Sequence, residues 1–323
     1  MVEKPHFNIP FVIAAGSGGG KIVAKLMTMK VTKIAVNSSW KDLDALPEDV
    51  VKVRAGEGDG SGMDPKKGEA DYVKRGGSRG LREAIQMVLE KRGIDRDDVS
   101  LIPVIISAGH GFGSGSGPKI IEDLQRMFPK TPVIAFVTQP FTFEGEETFR
   151  KARECGKRIA SKTGTVLINN QYVAEVVGLD QSISQILYKV NLYVSNSIDT
   201  FLRIATSESV LAGVDRTDLK RVAERGVIYM LTRSFKKDEP LERLYDSDSM
   251  LTHPIPSSTK TDSNMLAFIQ SPSTPSTSLL QEVKAMAEAK FNISVKAFKP
   301  AIFSGGEHLK ISLMIGGLRW IQE

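Results

Sequence analysis

Two glycine-rich stretches carry the residues best suited to chemistry. One runs Ser107-Ala-Gly-His-Gly-Phe-Gly-Ser-Gly-Ser-Gly-Pro118, the other Gly16-Ser-Gly-Gly-Gly-Lys21. Glycines lack Cβ atoms, so a ligand can approach the backbone and positive φ is permitted. Ser114 and Ser116 add hydroxyl donors. Each stretch follows an apolar run, Leu101–Ile106 or Phe11–Ala15, and precedes a helical pattern, Lys119–Met127 or Ile22–Met27. A strand, a loop of free N–H groups and a helix start together form an anion site, read here as a phosphate cradle. The alternative for the central stretch is a flexible loop with no ligand. Pro118 suits a helix's first turn, where its missing N–H costs nothing. Neither common nucleotide fingerprint fits the early stretch. Lys21 stands where GxGxxG needs its last glycine, and Ala15 and Ile22 break a P-loop. Asp215 and Asp218, three apart at a helix start, can share one face; spacing alone favours plain N-capping.

The elements that must hold these groups alternate. Strands at Phe11–Ala15, Thr32–Val36, Leu101–Ile106, Pro132–Val137 and Gly164–Ile168 are separated by helical patterns, among them Gly80–Lys91, Lys119–Met127 and Glu146–Ser161. This implies a parallel, doubly wound sheet. Ligands in such sheets lie beyond the carboxyl ends of the strands. Gly16–Lys21, Asn37, Gly109–Gly117, Thr138–Gly145 and Asn169–Asn170 all follow strands. Ala55–Arg79 reads as a long mobile loop. Ser182–Thr206 carries a broad apolar stripe and reads as a central helix of about 25 residues, ~37 Å long. Beyond it, Gly226–Thr232, Leu266–Gln270, Ile293–Phe298 and Leu309–Ile315 read as strands; Lys236–Ser249 and Leu279–Lys290 read as helices. The expected fold is α/β. A parallel-sheet domain (1–181) is joined by the central helix (182–206) to a smaller α+β domain (207–323).

Bulk properties narrow the function. A hydrophobic content of 41% and a charged content of 25% suit a soluble globular chain. A net charge of +5 permits DNA or acidic partners without arguing for them. The lone cysteine, Cys155, excludes an internal disulfide, fits a reducing cytoplasm and reads as a packed apolar residue. Met1–Pro10 lacks a secretory h-region, and no apolar run approaches the ~18 residues of a membrane span. One cysteine and four histidines offer no clustered soft-metal site. The basic residues are scattered and no DNA-reading motif is present, so direct DNA binding is not supported.

Three motifs, in order, resemble the tubulin/FtsZ superfamily. Gly109-His-Gly-Phe-Gly-Ser-Gly-Ser-Gly117 is similar to its glycine signature. Gln139-Pro-Phe-Thr-Phe-Glu-Gly145 is similar to the FtsZ ribose loop. Gly213-Val-Asp-Arg-Thr-Asp218 is similar to the loop that completes catalysis in a neighbouring subunit. Gly16–Val23 and Val36–Leu46 look most like TubZ, the plasmid and phage branch.

The resemblance implies a GTPase, carrying GTP or GDP with Mg2+, that polymerises with itself into cytoplasmic filaments. In that reading Gly18, Gly19, Gly20 and Lys21, with Gly109, Gly111, Phe112, Gly113, Ser114, Gly115 and Ser116, hold phosphates. Gly56–Gly62 senses the γ-phosphate. Asn37 and Pro140 join the nucleotide site, and Glu144 binds ribose hydroxyls. Asn170 and Asn191 read guanine. Asp215 and Asp218 reach into the next subunit and polarise water. Plasmid or phage DNA would be the cargo, linked by an adaptor protein. The alternatives are an FtsZ-like division scaffold, against which the early end of the chain weighs, and a nucleotide-binding enzyme with no polymer. Four positions depart from the family pattern. Lys21 and Gly213 replace Asn, and Thr148 replaces Arg. Leu187 stands where FtsZ stacks an aromatic on the base, with Tyr188 adjacent. Lys21 either adds charge beside phosphates or points to solvent. His110 is read as structural.

Overall fold

The computed structural model describes residues 7–28, 30–178, 181–206, 209–212, 215–251, 261–304 and 307–318. Apolar residues along β1 (Phe11–Ala15) alternate between two cores. Val12 and Ala14 face one; Phe11, Ile13 and Ala15 face the other. A strand apolar on both faces needs cover on both, as in the middle of a parallel sheet. The strands β2 (Thr32–Ser39), β3 (Val50–Gly58), β4 (Ile102–Ser107), β5 (Val133–Gln139) and β6 (Gly164–Asn169) lie with it in one sheet. They pair in parallel in the order β3-β2-β1-β4-β5-β6.

The sheet continues through β8 (Gly226–Ser234), which runs parallel to β6 through Gly164↔Gly226 and Thr165↔Val227. Beyond it lie β11 (Lys310–Leu318), β9 (Thr261–Ser271), β10 (Ile293–Ser304) and β7 (Ser209–Ala212), mostly antiparallel. The helices α1 (Gly16–Ala24), α7 (Asn170–Val177) and α8 (Ile183–Ala205) cover one face through Ile22, Val23, Val173, Val194 and Ile198. The helices α4 (Gly77–Arg92), α5 (Gly111–Met127) and α6 (Glu146–Ala160) cover the other through Ile85, Ile120, Leu124 and Ile159. α10 (Thr277–Phe291) packs on the C-terminal strands through Val283, Ala287 and Phe291.

The expected central helix is α8, and Phe201 joins it to β9 by an edge contact with Phe268 at 5.1 Å. Three expectations need correction. First, Ala55–Arg79 is not one loop. It holds the end of β3, then α3 (Pro65–Lys74), then the start of α4. Asp64 caps α3 by accepting the Lys66 N–H at 2.8 Å, and Pro65 takes the first helical position. Second, the glycine stretches are not loops before helices. α1 begins at Gly16 and α5 at Gly111, so the glycines form the opening turns. Third, Lys236–Ser249 forms two short 3-10 turns, Leu241–Tyr245 and Ser247–Ser249, rather than an α-helix. Arg233 draws this segment around itself, donating to Glu239, to Asp248 at 2.8 Å and to the Arg243 carbonyl at 3.1 Å.

Candidate functional site

β1 and β4 are neighbours, and each runs almost directly into a helix: Ala15 into α1, and Ser107 through Ala108–His110 into α5. Both helix starts therefore lie at the carboxyl edge of the sheet. First-turn N–H groups have no acceptor inside their own helix. In other helices a side chain supplies one, though not in α4 or α6, which both start after a glycine. α3 is capped by Asp64, α7 by Asn169, α8 by Ser182 and α10 by Ser276. α1 and α5 have no side-chain cap and no acid in the first turn. Two positive helix ends without an internal counter-charge thus border one cavity of about 950 Å³.

Two chains of hydroxyls line the cavity, and each ends on an acid. Ser38 and Ser61 share a 2.7 Å hydrogen bond, and Ser61 donates to buried Asp71 at 2.7 Å. Asn37 donates to Ser17 at 3.2 Å, and Ser17 donates to Asp42 on α2 (Trp40–Asp44). Lys67 holds the connection after β3 by donating to Asp59 at 3.1 Å and to the Gly60 carbonyl. The Gly111 N–H donates to the Gly62 carbonyl at 2.9 Å, tying that connection to the start of α5. Opposite these, Glu144 accepts the Phe141 N–H at 2.8 Å and lies 3.2 Å from His110 Nε2. Burial alone would raise the Glu144 carboxyl. The His110 and Phe141 hydrogen bonds outweigh it and hold the group below its ordinary value. Among the described residues, no three His, Cys, Asp or Glu side chains group closely enough to hold a metal. The described helices include none long and apolar enough to cross a membrane.

Residues 11–178, about half of the chain, match the Tubulin/FtsZ family, GTPase domain. The chain belongs to the tubulin/FtsZ family. It is 32% identical over 174 residues to cell division protein FtsZ 1 of Pyrococcus abyssi, covering 52% of this chain and 42% of that protein. The chain spans about half the length of the curated relatives it matches. Its fold is shared with CetZ2 of Haloferax volcanii, solved as a GTPγS-bound protofilament. The TM-score is 0.75 at 20% identity, over 98% of this chain and 94% of that one. TubZ of Bacillus thuringiensis serovar israelensis, in a GTPγS-form protofilament, matches at a TM-score of 0.67 and 15% identity. That match covers 98% of this chain and 90% of that one.

Within this tubulin/FtsZ fold, the cavity wall gathers Gly18, Lys21, Asn37, Gly111, Phe112, Gly113, Pro140, Glu144, Asn170, Leu187 and Asn191. Lys21 is solvent-exposed as well as on the wall. Tyr188 lies beside Leu187, with Lys25 Nζ 3.8 Å from its ring centroid.

Six other residues of the expected set stand off the wall: Gly19, Gly20, Gly109, Ser114, Gly115 and Ser116. Helical phase explains this for the five within α1 and α5. Ser114 and Ser116 are buried and bond within their own segment. Ser114 accepts the Gly109 N–H at 2.8 Å, and Ser116 donates to the Phe112 carbonyl at 2.7 Å. Gly19 lies against the Ile105 carbonyl, where a Cβ would come within 2.9 Å.

His110, read from sequence as structural, lines the cavity and bonds Glu144. Ser17, Ser38, Ser61 and Asp42 are wall residues that the sequence reading did not single out; the signal available was their place after strand ends.

Asp215 and Asp218 form a reciprocal capping box at the start of α9 (Arg216–Val222) and do not line the cavity. Asp218 is buried and pairs with Arg221 at 3.3 Å and Lys299 at 4.0 Å. Gly213 lies outside the described residues. Cys155 is buried in α6, and burial pushes its thiol up to about 12.

Proposed function

We propose that this chain binds and hydrolyses GTP and assembles head to tail, one copy lending acids to the nucleotide of the next. The observation that carries this reading is the convergence of two uncapped helix starts on one cavity. Such ends favour a multiply charged anion. In this reading the backbone of Gly16–Gly18 and His110–Gly113 holds the phosphates. The connection at Gly60–Gly62 meets the terminal phosphate. Glu144, kept ionised, accepts from the ribose hydroxyls. Asn170 and Asn191 hydrogen-bond guanine, and Leu187 and Tyr188 cover the base. Mg2+ would travel with the phosphates and neutralise their charge; it needs one or two carboxylates at most. Asp42 and Glu144 are the carboxylates on the described wall.

Phosphoryl transfer asks chiefly for positioning and charge stabilisation. The remaining need is a group that orients water. Asp215 and Asp218 would supply it from the next copy. Their position off the cavity wall of their own chain supports that division.

The test is GTP turnover together with pelleting in GTP and in GDP. Asp215→Asn keeps a capping oxygen, so α9 should survive. Turnover should fall at least ~100-fold, within the range for loss of a general base, while GTP-dependent pelleting persists. Normal turnover would remove Asp215 from the mechanism, and wild-type protein that never pellets would remove the polymer.

For the polymer's role, we favour the plasmid and phage branch, positioning DNA through an adaptor, on the likeness of Gly16–Val23 and Val36–Leu46 to TubZ. A division scaffold is the second reading, favoured by the FtsZ relative. Filaments seen on DNA or at the division plane of cells separate the two.

A further inference from the structure

The basic residues between Lys66 and Arg126 look scattered in sequence, but α3, α4 and α5 gather them along one groove. Two adjoining cavities form it. One, of about 600 Å³, is lined by Lys66, Lys74, Arg82, Lys119 and Arg126. The other, of about 540 Å³, shares Lys74 and Arg82 and adds Arg75 and Arg79. Neither shares a wall residue with the cavity at α1 and α5.

Three acids also line the groove, and each is already answered. Glu69 meets Arg158 at 3.3 Å and Lys119 at 3.7 Å. Glu122 meets Lys162 at 3.0 Å and Lys119 at 3.2 Å. Asp123 is buried and accepts from Tyr72 at 2.9 Å, from Ser78 at 2.5 Å and from Arg126. Lys66, Lys74 and Arg82 have no ion-pair partner among the described residues, and all three are exposed.

The form of the groove narrows its ligand. Lys66 and Lys74 stand ~12 Å apart along α3, at the helical rise. That is too long for one phosphate and spans about three on a duplex strand. Guanidinium forks match phosphate oxygens. Among the described residues the groove's apolar side chains are Ala70 and Val73, too little to seat a peptide, and no aromatic lines it for base stacking. We propose that this groove binds the phosphodiester backbone of double-stranded nucleic acid without reading its sequence.

The test uses the full chain with GDP and a short fluorescent duplex, with anisotropy followed between about 50 and 200 mM salt. Wild-type protein should bind, and affinity should fall steeply with salt. The triple variant Lys74→Ala, Arg79→Ala, Arg82→Ala should bind at least ~10-fold more weakly, with the log–log salt slope reduced by about three. A control variant, Lys236→Ala, Lys237→Ala, Lys290→Ala, loses the same charge outside the groove and should bind like wild type. GTP turnover and melting should be unchanged in both variants, so failure of the groove and failure of the nucleotide reading remain distinguishable. The proposal is overturned if wild type does not bind the duplex or if both variants weaken equally. It is also overturned by a strong sequence preference, or if anionic vesicles or polyglutamate bind as tightly as the duplex.

Discussion

At the start of α1 the glycines bring a helix down onto a neighbouring strand; at the start of α5 they bring whole backbones together. Gly16 has φ 80°, and a Cβ there would sit 2.6 Å from Ser107 Oγ. Gly20 faces the end of a side chain, 3.3 Å from Leu46 Cδ1. In α5 a Cβ on Gly111 would meet the Ser61 carbonyl oxygen at 2.7 Å. One on Gly115 would collide with the Pro65 carbonyl and reach the Glu69 N at 2.6 Å. Gly68 on α3 answers from the other side, against the Gly111 carbonyl. A glycine-rich stretch beside an anion cavity therefore has two purposes. Its first residues expose backbone to a ligand, and the later ones let a second helix lie at backbone distance. That second helix, α3, carries Asp71, which holds the Ser61 hydroxyl on the cavity wall.

The sharpest break of this comparison is Gly115→Ala. A side chain can move aside, but the Pro65 carbonyl belongs to a helix start and cannot. The expected cost is about 3 kcal/mol or more, the upper end for overpacking, read as the largest fall in melting temperature. A variant that melts like wild type would refute the backbone contact between α3 and α5. Gly16→Ala should cost less, about 1–2 kcal/mol for a left-handed non-glycine residue. Its stronger effect should be on nucleotide affinity, because the new Cβ displaces Ser107 on the cavity wall; a fluorescent guanine nucleotide reports it. Gly20→Ala should be the mildest. Leu46 is half-buried and can yield, while alanine gains about 0.8–1 kcal/mol of helix propensity. Stability should be unchanged or rise by up to about 1 kcal/mol in the same melting assay. A loss as large as that of Gly115→Ala would erase the difference between the two junctions.

What could be read from the sequence follows the same division. The apolar alternation of Phe11–Ala15 and the stripe of α8 record which faces are buried, so the parallel strands and the long helix were legible. β3 was not. It is an edge strand whose burial is broken along its length. α3 was hidden for a different reason. The residues it buries are Gly68, Asp71 and Tyr72, not aliphatics, so it shows no apolar stripe; the Asp64-Pro65 cap was its one local signal. In the site, strand-end positions pointed to the cavity, but Ser114 and Ser116 could not be told from Ser38 and Ser61. Helical phase turned the first pair inward, and hydrogen bonds fixed the second pair on the wall.

By itself the amino-acid sequence determined the parallel strands, the long helix and the carboxyl edge on which the glycine stretches lie. These depend on local periodicity and on residues a few positions apart. Only the tertiary structure decided which glycines face the cavity and which face a helix, that Asp71 reaches Ser61, and that cations from α3, α4 and α5 share one groove. Those are distances between segments remote in the chain, and they are set by how the helices pack on the sheet.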